Sequence, residues 1–196
     1  MDMENVIDEA LKSGNWMIRR SNDGVAYNGF QWEPIGVWTD APDWNDSPVC
    51  GGGLHGNGPN SSGCYTGGCR LDFCITDIQV DIDGEKVKTP RAMIVLVNQL
   101  PEGLHVGGYL DLEDTGITEL PEGLHVGGSL YLRGTGITEL PEGLHVGGSL
   151  DLRGTGITEL PEGLHVGGSL DLEGTGITEL PEGLHVGGSL DLRGTG

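Results

Sequence analysis

Five residues able to hold a metal or carry thiol chemistry fall within the stretch CGGGLHGNGPNSSGCYTGGCRLDFC: Cys50, His55, Cys64, Cys69 and Cys74. Their spacing is C-x4-H-x8-C-x4-C-x4-C. Thiolate and imidazole are the ligands that tetrahedral zinc favours, and the x4 gaps lie at the wide end of zinc spacing. Four readings of the cluster stay open. It is a structural zinc site, a set of buried thiols beside a structural histidine, two disulfides in an exported or virion-borne protein, or a Cys/His catalytic pair. A second set of chemistry-bearing residues recurs every twenty positions: His105, His125, His145, His165 and His185. Placed one above another, these rings would oppose each other's protonation, which reads as a pH switch or a metal row. The other reading is a solvated column left by copying. No phosphate loop, nucleophile elbow or carboxylate pair set by spacing occurs in the chain.

The histidine spacing belongs to a repeat. From Leu100 onward the phrase LPEGLHVGGSLDLRGTGITE recurs about five times. Its apolar positions are 1, 5, 7, 11, 13 and 18. The pairs 5/7 and 11/13 have the period of a strand with one buried face. No helical stripe exists, and Gly fills five of the twenty places, so helix is disfavoured throughout the unit. Three turn clusters per unit mark three corners, as expected for one coil of a β-solenoid. A single coil cannot bury its Leu residues, and a stack can. Gly196 falls in mid-repeat, which leaves open a truncation or a natural continuation. An open end of such a stack would expose strand edges and favour end-to-end self-association.

Residues 1–99 have a different composition. All four Trp lie from Trp16 to Trp44, and the four Cys follow. Residues 2–12 predict a short helix stopped at Gly14, with Val6, Ala10 and Leu11 on one face. WMIRR and VAYNGFQW predict strands on either side of Asn22-Asp23-Gly24. Ile78, Val80 and Ile82 alternate toward a hairpin turn at Asp83-Gly84. RAMIVLVNQ predicts a buried strand that leads into the first repeat. Trp32, Trp38 and Trp44 read as core anchors, since no basic residues interleave with them as single-strand binding requires. The fold class expected is mainly β: a small α+β domain over 1–99 that caps a short leucine-rich β-solenoid over 100–196.

Charge bounds the partners. The chain carries 30 acidic and 10 basic residues, a net charge of −20. Residues 100–196 hold 16 acidic and 3 basic residues, against 14 and 7 in residues 1–99. Such a chain does not bind a nucleic-acid backbone by counterion release. It suits a basic protein surface, including one built to hold nucleic acid. No run approaches a membrane span, and the acidic start lacks the features of a signal peptide, so a cytoplasmic protein is expected.

The run L-x-L-x-x-T-x-I-x-x-L-P resembles the bacterial leucine-rich repeat, L-x-V-x-x-N-x-L-x-x-L-P, whose unit is also twenty residues. Thr115, Thr135, Thr155, Thr175 and Thr195 stand where that family has its ladder Asn. The resemblance implies a partner-binding surface on the L-x-L strand, and the Thr puts strict horseshoe curvature in doubt against a straighter β-solenoid. The copies differ mainly around that strand, at Tyr109, Asp111, Glu113, Tyr131, Arg133, Asp151, Arg153, Asp171, Glu173, Asp191 and Arg193. This row is the expected partner-binding face. Drift at unconstrained positions is the competing account. The Thr118, Thr138, Thr158 and Thr178 column resembles the flat Thr arrays of ice-binding solenoids. GFQWEPIGVWTDAPDWNDSPVCGGGLHG is similar to a domain of phage and actinobacterial proteins, which implies that setting and no activity. The functional expectation is a non-enzymatic protein–protein interaction module, in one version a phage-encoded inhibitor that mimics nucleic acid on a basic host protein. Alternatives are a small-ligand binder or enzyme at the Cys/His cluster, and a structural rod.

Overall fold

A computed structural model describes residues 2–23, 25, 30–47, 53–61 and 69–196. The chain divides into two units, Met1–Asn98 and Gln99–Gly196. Among the described residues it is mainly β, with one short helix.

The first unit opens with α1 (Met3–Ser13). Asp2 caps its N-terminus by accepting from the Glu4 backbone N–H, and Gly14 ends it in the left-handed region, the arrangement that satisfies orphaned groups at each end. The strands β1 (Trp16–Ser21), β2 (Trp38–Asp40), β4 (Arg70–Thr76) and β7 (Arg91–Val97) form an antiparallel sheet in the order β1-β4-β7-β2. A second antiparallel sheet joins β3 (Leu54–Gly56), β6 (Lys86–Thr89) and β5 (Val80–Ile82). The two are stitched where Ile18 and Asn57 exchange backbone hydrogen bonds of 2.8 and 2.7 Å. Met17, Trp32, Leu54, Cys74, Val87, Ala92 and Ile94 build the core, and Trp16 stacks on Phe73 beside it at 5.6 Å.

The hairpin expected at Asp83-Gly84 is present, both residues having positive φ and Glu85 N–H donating to the Ile82 carbonyl. Ile78 departs from the expectation. It precedes β5 and is exposed, so only Ile82 of the Ile78/Val80/Ile82 series is fully buried. Of the three predicted Trp anchors, Trp32 is buried, while Trp38 and Trp44 are half-buried. The strand expected over VAYNGFQW lies largely outside the described residues. Val25 bridges Asn22 and Gln31.

The second unit is a β-solenoid of about four turns between His105 and Asp191. Two short strands recur in each coil. The first set is β8 (His105–Val106), β10 (His125–Val126), β12 (His145–Val146), β14 (His165–Val166) and β16 (His185–Val186). The second is β9 (Leu110–Asp111), β11 (Leu130–Tyr131), β13 (Leu150–Asp151), β15 (Leu170–Asp171) and β17 (Leu190–Asp191). Each set forms a parallel five-stranded sheet in which every residue pairs with its equivalent twenty positions on.

The six apolar positions of the repeat all face inward. Leu130 and Leu132 are 0% exposed, and the equivalents from Leu100 through Ile177 are buried. In the last coil Leu180, Leu190 and Leu192 are exposed. The corners explain the glycines. A Cβ on Gly147 would fall on the carbonyl oxygen of Gly127 in the coil before, so close backbone approach excludes any side chain there. Asp114 holds a left-handed corner at φ 54° where the other copies use Gly, a conformation that Asp tolerates better than most residues. The Thr column works within its own coil: the Thr115, Thr135, Thr155 and Thr175 hydroxyls donate to the Leu carbonyl three residues back at 2.7–2.8 Å.

Candidate functional site

Of the cysteine–histidine cluster, Cys50 and Cys64 lie outside the described residues. Cys69 is exposed just before β4. Cys74 sits within β4 across from Met17 and Ile94, fully buried, and burial pushes its thiol far above the ordinary range. It is therefore a protonated core residue. Among the described residues, His55, Cys69 and Cys74 do not converge as a three-ligand set.

His55 has other company. On β3 it lies opposite Lys88 of β6. Lys88 is 0% exposed, its Nζ donating to Asn45 Oδ1 at 3.1 Å and standing 5.7 Å over the Trp44 ring. Asp43 Oδ1 accepts the Gly53 N–H at 3.1 Å. A Cβ on Gly53 would meet the Trp44 ring at 3.0 Å and the Thr89 carbonyl at 3.2 Å, and its φ is +119°, so this position demands glycine. The APDW segment thus folds onto the GLHG segment. Burial, then the charges of Lys86 and Lys88, hold His55 below its ordinary pKa, against Asp43 and a backbone hydrogen bond with Gly53. Its buried Nε2 has no hydrogen-bond partner among the described residues. A neutral imidazole with an open nitrogen beside a buried ammonium can accept a proton or a ligand. The spacing of the sequence pointed to His55 and missed Asp43, Asn45 and Lys88, because their approach comes from strand pairing. A cavity of about 410 Å³ lies elsewhere in the unit, lined in part by α1, with Glu9, Asp77 and Arg91 as its charged residues.

The variable row of the solenoid is knit into its own backbone. The Asp side chains turn back on their own coil: Asp111, Asp151, Asp171 and Asp191 each accept the backbone N–H two residues on at 3.0–3.1 Å. This is an Asx turn, and Asp151 is buried. The next residue in the row supplies cations. Arg133 pairs with Glu113 at 3.3 Å. Arg153 pairs with Asp151 and, at 3.3 Å, with Asp171. Arg193 pairs with Glu173 at 3.0 Å and Asp191 at 2.8 Å. Burial works to raise the Asp151 carboxyl, and the hydrogen bonds from Arg153 outweigh it, leaving Asp151 below the usual carboxylate range. Asp171, Glu173 and Asp191 lie close together, and their charge is met by two guanidiniums, Arg153 on Asp171 and Arg193 on Glu173 and Asp191.

Two features of the solenoid remain open to a partner. Tyr109 and Tyr131 meet edge to face at 6.5 Å, with Tyr109 exposed. Away from the row, Glu102, Glu122, Glu142, Glu162 and Glu182 form one exposed column, and Glu119, Glu139, Glu159 and Glu179 another. All three Arg of the solenoid are engaged within the row, so these glutamates carry most of its surplus charge.

Fold and site together define a solenoid-bearing protein with a strongly acidic repeat face. No family model matches the chain, and neither a curated protein nor a solved structure matches it. Among the described residues no helix is long and apolar enough to cross a membrane.

Proposed function

We propose that the chain is a non-enzymatic interaction protein whose solenoid binds a basic protein surface. The observation that carries this reading is the pair of exposed Glu columns, which have no ion-pair partner among the described residues, on a unit whose Arg side chains are already engaged. The Tyr109–Tyr131 pair adds a rigid aromatic patch of the kind enriched at interfaces. The likeness of the repeat to bacterial leucine-rich repeats supports a protein partner. A narrower version, set in the phage or bacterial context that the first unit's likeness implies, is a cytoplasmic inhibitor that occupies the nucleic-acid site of a basic host enzyme, and the acidic balance of the chain supports it. The test is capture from bacterial lysate with the full chain, followed by binding of the captured protein at rising salt. Affinity is expected to fall steeply with salt, to be competed by DNA, and to drop at least about tenfold in Glu122→Gln/Glu142→Gln/Glu162→Gln. Binding indifferent to salt and to those changes overturns the proposal.

His55 and Lys88 favour a second reading, a small-ligand or catalytic site in the first unit. Its test is His55→Ala, which should keep the fold and abolish a measured ligand affinity. Zinc quantitation on the purified chain tests a structural metal at the cysteine cluster.

A further inference from the structure

The histidines of the first solenoid sheet form a continuous ladder. His125–His145 and His165–His185 stack at ring-centroid distances of 4.4 and 4.6 Å, and His105–His125 and His145–His165 at 5.2 Å. The rings point outward, since Leu and Val on either side of each His in sequence point inward. The outward neighbours two residues before and after every His are glycines, such as Gly123 and Gly127 around His125. Along each strand, therefore, the nearest outward positions on either side of the ladder carry no side chain. Each imidazole in its neutral form offers a ring nitrogen lone pair to a metal.

We propose that this ladder binds borderline divalent transition-metal ions, of the Cu²⁺, Ni²⁺ or Zn²⁺ class, each held between histidines of adjacent coils. Imidazole suits these ions. Two nitrogens that share one ion at about 2.0–2.1 Å each stand roughly 3 Å apart. Rotation of unobstructed side chains brings rings at 4.4–4.6 Å to that separation more readily than rings at 5.2 Å. His125/His145 and His165/His185 are the two pairs, and His105 is left over. Water completes each coordination shell, since no further His, Cys, Asp or Glu ligand joins these pairs among the described residues. An ion so held ties one coil to the next.

The pairing makes a stoichiometric test possible on the untagged full chain, with Cu²⁺ and Ni²⁺ as probes and calorimetry as readout. Wild type is expected to bind two more ions than His125→Ala/His165→Ala, which retains three ladder histidines and no adjacent pair. His125→Ala or His165→Ala alone should lose one ion, and His105→Ala none. Electron paramagnetic resonance of the Cu²⁺-loaded wild type should show two ring nitrogens per ion, a readout independent of whether any variant folds. Equal binding by wild type and the folded double variant, or spectra with a single nitrogen per ion, overturns the proposal.

Discussion

The two units handle charge in opposite ways. In the first, Asp72 is 0% exposed and is satisfied by Ser21 Oγ at 2.8 Å and Arg70 Nε at 2.6 Å. Arg19, itself buried, lies 3.9 Å from the same carboxylate and stacks on Trp32. Arg19 and Ser21 come from β1 and Arg70 from Asp72's own strand β4, and the solution is used once. In the solenoid each Arg sits in an outer row and pairs with carboxylates two or twenty positions away. An irregular fold must assemble specific partners for each buried ion. A repeat sets its ions in rows and corrects the repulsion by alternating a few letters.

That contrast can be broken in order of effect. Asp72→Asn leaves buried guanidinium charge without its carboxylate and is expected to cost about 4 kcal/mol. Trp fluorescence reads this unit alone, since all four Trp lie within it, and an unchanged denaturant midpoint would refute the account of the buried network. Leu152→Ala, in the centre of the solenoid column, should cost about 3 kcal/mol by circular dichroism melting, and Leu132→Ala and Leu172→Ala the same within error, as translation requires. Gly147→Ala should cost about 2 kcal/mol through backbone overlap, more than Gly154→Ala, whose added Cβ meets nothing and which bears only the left-handed φ penalty.

Acid separates the units less sharply. His125 lies below its ordinary pKa when folded, so the unfolded chain takes up the proton first. Solenoid stability should therefore fall as pH drops through about 6.5 and level off below the folded value. Asp151 works at lower pH: its folded pKa is also depressed, and the stability it adds above about pH 4 is lost as pH falls further. Melting temperatures from pH 8 to 3 should show both declines, and a solenoid that gains stability on acidification would contradict them. The smallest effect belongs to Arg133→Gln, whose exposed pair with Glu113 is worth at most about 0.5 kcal/mol.

The solenoid was legible in the sequence because its signal is translational. Leu and Val two apart, three turn clusters and a twenty-residue period leave few other ways to bury the column. The role of the row was less legible. Asp at the L-x-L position reads as an outward contact, and only the backbone path reveals that its carboxylate closes a local turn. The first unit hid more. Its sheet pairs β1 with β4 across some fifty residues of chain, so no local pattern announces Asp72 beside Ser21, or Lys88 opposite His55. The cysteine spacing drew attention to thiols, whereas Cys74 is taken up by the core.

The coil-to-coil register has one further consequence. A coil's backbone and its Leu column are met by an equivalent stretch shifted twenty residues along, and stability in such arrays comes from neighbours alone. Unequal recombination within so uniform a gene could then add or delete a coil without any compensating change elsewhere. Length becomes a heritable variable that selection can adjust in single steps, each step lengthening the acidic face and the imidazole row together.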